Sequence, residues 1–218
     1  MEALLAFAAA LLALRLAGLL VRRFRAGGPP QFAAWAASLA CYAVASAALA
    51  WGAAAGWSDE AFRVYYLFGG LLTAPLLGVG SLLLTGRRWP IPVGLLYTGL
   101  AAGVVLAEPL TASVAGESIP EAQDHLDFLP ARLLAILGNT LGTLAVVAVA
   151  LLTIRRRPLG NGLVLAGVAV AAVGTGVAGL GVAETAGFVA AAALLLYAGF
   201  VAPAGATLRR PTAGMLRP

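Results

Sequence analysis

Residues 3–25 read ALLAFAAALLALRLAGLLVRRFR, an apolar run interrupted by Arg15 and closed by Arg22, Arg23 and Arg25. As a helix, the part over about 3–21 is long enough to cross a hydrocarbon layer of about 30 Å. It is too long for the apolar centre of a cleaved signal peptide. Acidic Glu2 precedes it and three arginines follow it, so it predicts an uncleaved span with its N-terminus outside. Comparable stretches at about 32–55, 64–85, 91–108, 131–153, 160–181 and 185–206 are each bounded by charge, Pro or a Gly-rich turn. The expected fold class is therefore all-α, an integral membrane bundle of seven transmembrane helices forming one domain over 1–208. An outer loop at 109–130 and a short cytoplasmic tail at 209–218 complete the expectation.

The turns alternate in charge as this topology requires. Arg22, Arg23 and Arg25 follow the first stretch, Arg87 and Arg88 the third, Arg155, Arg156 and Arg157 the fifth, and Arg209, Arg210 and Arg217 the seventh, with no acid among them. Glu2, Asp59, Glu60, Glu108, Glu117, Glu121, Asp124, Asp127 and Glu184 fall in the other set of connections, accompanied by Arg63 and Arg132. Short arginine-rich loops stay cytoplasmic, which predicts the N-terminus outside and the C-terminus in the cytoplasm.

Composition agrees and excludes other classes. With 61% hydrophobic residues, 11% charged residues and a mean hydropathy of +0.95, the chain lies outside the range of soluble domains and leaves no room for a soluble catalytic unit. The net charge of +5 is carried by arginine with no lysine, a pattern of GC-rich bacterial coding, so the expected location is the bacterial cytoplasmic (inner) membrane. The arginines sit in short turns facing anionic lipid with no nucleic-acid motif beside them, which makes membrane lipids the expected partner and nucleic acid not. Trp51 and Trp57 at one end, Trp35 and Trp89 at the other, and Tyr65 and Tyr66 opening the third helix read as interfacial anchors. Cys41 reads as a small buried apolar side chain.

Polar groups inside apolar helices are the candidates for function, because each needs a partner where water is absent. Asn139 falls near mid-depth of the fifth helix, with Thr143 one turn on and Gly138 and Gly142 forming a small-residue seam beside it. Thr73 reaches a similar depth on a stripe of Tyr66, Gly70, Thr73, Leu77 and Gly80, and Pro75 should bend that helix and free a carbonyl near Thr73. Helix two offers Trp35, Ser38, Tyr42, Ala45 and Leu49 on one face. Tyr42, Thr73, Asn139 and Thr143 then form either a polar ligand pocket or a set of interhelical hydrogen bonds of roughly 0.6–2 kcal/mol each. Arg15, the one charge well inside a span, is expected to snorkel to the interface. Arg63, Glu108, Arg132 and Glu184 form an outer rim of charges placed to pair across helix ends.

The loop at 109–130 carries Pro109, Pro120 and Pro130, which argue against one continuous helix and allow a short turn between Pro120 and Phe128. It is large enough for a lid or docking surface. His125 and the scattered carboxylates lack metal-ligand spacing, so neither a metal nor a cofactor is expected. No lysine is present for a Schiff base and no phosphate-binding loop appears, and no nucleophile is paired with a base, so no catalytic residues are assigned.

Ala34-Trp35, Tyr42, Trp51-Gly52, Gly56-Trp57, Phe62 to Gly69 and Gly138 to Thr143 together resemble an uncharacterised family of seven-span membrane proteins from actinobacteria and related bacteria. More distantly, the architecture is similar to the N-terminal seven-helix sensor regions of histidine kinases. The expected function is a non-enzymatic sensor, ligand-binding or partner-scaffolding module. A small permease or channel is the alternative and a membrane lipid-modifying enzyme, with Glu108 or Glu184 as base, the third. A small lipophilic ligand, a membrane protein partner, or a second copy docked through small-residue helix faces fits the first reading.

Overall fold

The structure, a computed structural model, describes residues 2–116, 118–176 and 182–202; Glu117, 177–181, 203–218 and the side chain of Glu184 lie outside the described residues. The described residues are helical and contain no strand. We number the long helices α1 (Glu2–Arg25), α2 (Gln31–Ala55), α3 (Asp59–Leu83), α4 (Pro90–Ala107), α5 (Leu133–Thr153), α6 (Pro158–Gly176) and α7 (Val182–Val201). Five of these, α1 to α4 and the Phe128–Thr153 stretch that contains α5, are long and apolar enough to cross a membrane. The ends of the sixth and seventh expected spans, at 177–181 and 203–206, fall outside the described residues.

Local chemistry sets the boundaries. Gly56, at φ +86°, closes α2 in a conformation a side chain would oppose. Ser58 then caps α3 by accepting the Ala61 N–H at 3.3 Å, and Asp59 and Glu60 fill the first turn, where the helix dipole favours negative charge. Pro90 starts α4, where a missing N–H costs nothing. Between α4 and α5 a single turn, Ala122–His125, forms within the proline-punctuated loop.

The helices pack as a closed ring in the order α1, α2, α3, α5, α6, α7 and back to α1, with α4 outside it against α3. Leu95, Leu96, Leu100 and Leu106 of α4 are accordingly exposed, at 70%, 75%, 53% and 81%. Such a belt is suited to acyl chains and poorly suited to water. Small residues let the helices approach closely. A Cβ at Gly78 would lie 2.7 Å from Gly142 Cα, and one at Gly142 would lie 2.6 Å from the Ala74 carbonyl carbon, so α3 and α5 cross backbone to backbone.

Two apolar clusters fill the ring. One, around Leu49, Phe62, Leu71 and Val105, also takes in Val114 and Leu126 from the loop. The other surrounds Leu16, Leu20, Leu39, Leu77 and Val146. Trp57 and Trp35 belong to these cores at 5% and 4% exposure, which corrects their reading as interfacial anchors; Trp51 and Trp89, at 66% and 52%, remain at the surface. The indoles of Trp57 and Trp35 fill space that Gly52 and Gly80 leave on α2 and α3.

Helix α3 departs from the expected register. Residues Tyr66–Leu72 wind as a π-helix between two α-helical parts. The wider turn breaks the four- and three-residue stepping that aligned Tyr66 with Thr73 and Gly80. Tyr66 is buried instead in the first cluster.

Candidate functional site

In the middle of α3 and α5, polar side chains are spent on helix backbones. Asn139 Nδ2 donates to the Gly70 carbonyl at 2.7 Å, Thr73 Oγ1 to Phe68 O at 2.7 Å, and Ser38 Oγ to Thr73 O at 2.7 Å. Pro75 accounts for the acceptor at Gly70, since it offers no N–H to Gly70 in the i+5 register or to Leu71 in the i+4 register. Asn139 and Thr73 thus serve the same π-helical segment from two sides. Thr143 is half-buried and shares no hydrogen bond with them, and Tyr42 lies within electrostatic reach of Tyr65. Asn139 and Ser38 are interhelical pins and Thr73 braces its own helix, and these contacts leave little polar capacity for a ligand. Arg15 lies on the exposed face of α1.

The end of the ring that carries Asp59 and Glu108 is built differently. Arg63 reaches from α3 to the last turn of α4, donating from Nη2 to Glu108 O at 2.8 Å and from Nη1 to Val105 O. It therefore caps helix carbonyls, and among the described residues no arginine pairs with a carboxylate, contrary to the rim of ion pairs expected from sequence. The reason is geometric: the C-terminal carbonyls of α4 lie closer to Arg63 than any carboxylate does, and they gather negative partial charge.

Glu108 ends α4 and is 8% exposed. Its Oε2 accepts the Ala131 N–H at 3.1 Å, while Oε1 is buried without a partner. The Tyr66 hydroxyl is also buried without a partner, and it lies close enough to Glu108 and Arg132 to feel both charges. Burial pushes the Glu108 carboxyl above the usual carboxylate range, with Asp127 adding to the shift, while the Ala131 N–H and Arg63 oppose it. Arg132 itself sits 5.8 Å from the centre of the Phe128 ring.

The loop lies over this cluster as a cover. Asp59 Oδ1 accepts the Val114 N–H at 2.7 Å, Trp57 N donates to Gly116 O at 2.8 Å, and His125 packs 5.5 Å from the Phe62 ring. Val114 and Leu126 are buried beneath it. His125 Nδ1 lies 3.2 Å from Ala112 O, which ties the two halves of the loop together.

No protein-family model, curated protein or solved structure matches the chain. The site must therefore be read from its own chemistry.

From sequence Tyr66 read as an interfacial anchor and as part of the Thr73 stripe, and its place beside Glu108 depends on the π-helical register. Tyr97, whose hydroxyl donates to Leu134 O at 3.2 Å, and Ser38 act as further pins between helices. Among the described residues no cluster of His, Cys, Asp and Glu has the make-up of a metal site. Two buried polar groups without partners, a carboxylate oxygen and a phenol beside an arginine, can accept from and donate to a small polar ligand or hold a proton.

Proposed function

We propose that this chain is a seven-span membrane sensor module, N-terminus outside and C-terminus in the cytoplasm, whose input site is the Glu108–Tyr66–Arg132 cluster under the outer loop. The orientation rests on the segregation of arginine-rich turns from acidic ones. One observation carries the sensing role: Tyr66, whose unpartnered hydroxyl lies beside the buried Glu108 carboxyl, is also the first residue of the π-helical segment of α3.

A change at the cluster, either protonation of Glu108 or capture of a small polar ligand, would act directly on that segment. The π-helix is a strained register with an α-helical alternative, and such segments recur at functional hinges. Asn139 and Thr73 donate to carbonyls within the same segment and Ser38 to Thr73 O just after it, so the input would reach the middle of the bundle through bonded neighbours. Resemblance to seven-span bacterial membrane proteins and to histidine-kinase sensor regions is compatible with this reading, with output passing to a separate membrane partner.

The test is hydrogen–deuterium exchange of the full chain in lipid nanodiscs between pH 5 and pH 8, corrected for intrinsic exchange. Protection of residues 66–72 should change with pH in the wild type and stay constant in Glu108→Gln. A segment equally protected at both pH values, or a pH response retained in Glu108→Gln, overturns the proposal.

A further inference from the structure

At the opposite end of the ring, between the helices that carry the arginine-rich turns, α2, α3, α5, α6 and α7 line a small cleft that is open at its mouth. Its depth has room for about one water-sized group. Trp35, Ser81, Thr153, Arg157, Asn161 and Val164 are among its walls.

The polar walls are largely committed. Ser81 Oγ donates to Leu77 O at 3.0 Å and Thr153 Oγ1 to Val149 O at 2.7 Å. Asn161, 9% exposed, donates from Nδ2 to Thr153 Oγ1 at 2.9 Å. Arg157 Nη2 donates to Ala202 O at 2.8 Å and to Gly199 O at 3.4 Å, which fixes the guanidinium over Gly160. Its Nε–H is buried and has no acceptor.

The cleft therefore presents one uncommitted charged donor. No acidic residue lies in the turns at this end, so the arginine charge is not neutralised by the chain itself. The first turn of α6 adds the positive end of a helix dipole, and Arg155 and Arg156 stand exposed in the turn that precedes it. An unmet guanidinium N–H beside a helix N-terminus is suited to an oxygen of a tetrahedral anion.

We propose that this cleft binds a phosphate group, one of whose oxygens enters to accept the Arg157 Nε–H while the remainder lies in the mouth. The group can come from an anionic lipid headgroup or from free phosphate. The site is remote from Glu108 and independent of the sensing proposal.

The experiment uses the full chain, delipidated in a non-ionic detergent and followed by native mass spectrometry and thermal unfolding. Phosphatidylglycerol, inorganic phosphate and diacylglycerol are the probes. Retention of phosphatidylglycerol with no retention of diacylglycerol identifies the headgroup as the source. Stabilisation by inorganic phosphate alone identifies the free anion. Binding should weaken about tenfold in Arg157→Lys, which keeps the charge and a donor for the helix carbonyls but loses Nε–H. Asn161→Asp, nearly isosteric, should weaken it similarly by placing negative charge in the wall. If Arg157→Lys does not fold by size exclusion and circular dichroism, Asn161→Asp decides alone. No response to either phosphate probe, equal retention of diacylglycerol, or wild-type binding by Asn161→Asp overturns the proposal.

Discussion

Asn139 of α5 donates to the carbonyl of Gly70 in α3 at 2.7 Å, five residues before the proline that cannot supply an N–H in the i+5 register. A side chain from one helix thus substitutes for a backbone donor missing from another. The bond is both a packing contact and a repair of the helix ladder.

Asn139→Ala should accordingly destabilise the protein by about 0.6–2 kcal/mol. In a Pro75→Ala background an N–H becomes available to the segment, and the cost of Asn139→Ala should shrink by at least about 0.5 kcal/mol. A double-mutant cycle of unfolding in a fixed detergent measures the difference. Strict additivity of the two substitutions would show that the repair account is wrong.

The crossing of α3 and α5 makes a sharper demand. Gly142→Ala puts a methyl group 2.6 Å from the Ala74 carbonyl carbon and 2.8 Å from Pro75 N, both backbone atoms with no freedom to swing aside. The expected loss is about 1–3 kcal/mol, typical of forced overpacking. Gly99→Ala on α4 is the control, since nothing lies within 4 Å of its Cβ position, and it should stay within about 0.5 kcal/mol of wild type. Comparable melting shifts for the two variants would remove the crossing from the account.

Helix positions were legible because apolar length and arginine placement act locally and repeat along the chain. The Gly138–Gly142 seam followed from helical periodicity alone, and α3 does approach α5 closely there. The π-helical register of Tyr66–Leu72 was not legible, since the donors that meet its carbonyls are Asn139 on another helix and Thr73 further along α3, an arrangement set by tertiary packing. That one register change moves Tyr66 from a stripe with Thr73 to a place beside Glu108. Trp35 and Trp57 were misread for a related reason: whether an indole at a helix end faces lipid or core depends on the glycine opposite it, Gly80 or Gly52, and that pairing is tertiary. The choice of Arg63 for helix carbonyls over carboxylates required knowing where α4 stops.

Arg63 bridges two carbonyls at the end of α4, so its removal exposes unsatisfied backbone at a buried helix terminus. Arg63→Ala should cost about 1.5–3 kcal/mol, the range for hydrogen bonds from a charged donor. Lysine is a point donor and cannot span both acceptors in a planar fork, so Arg63→Lys should recover only part of the loss. Thermal unfolding of the three proteins ranks them. Wild-type stability in Arg63→Ala would mean that water satisfies these carbonyls equally well.

Glu108 fixes the direction of a pH dependence. Burial raises its folded-state pKa above the ordinary value of 4.5, so the fold favours the neutral acid more than the unfolded chain does. The stabilisation is fully present below that ordinary value, where both states are protonated, and is lost as pH rises through the folded-state value. The wild type should therefore lose stability relative to Glu108→Gln as pH is raised from 4 towards 8, because the amide keeps an acceptor for the Ala131 N–H and carries no charge. Titrations shared by the two proteins cancel in the comparison, which leaves the contribution of this carboxyl. Chemical unfolding of both proteins at matched pH values measures it. A wild type that gains on the glutamine variant with rising pH would show that the carboxylate, through Arg63 and Arg132, is the form the fold prefers.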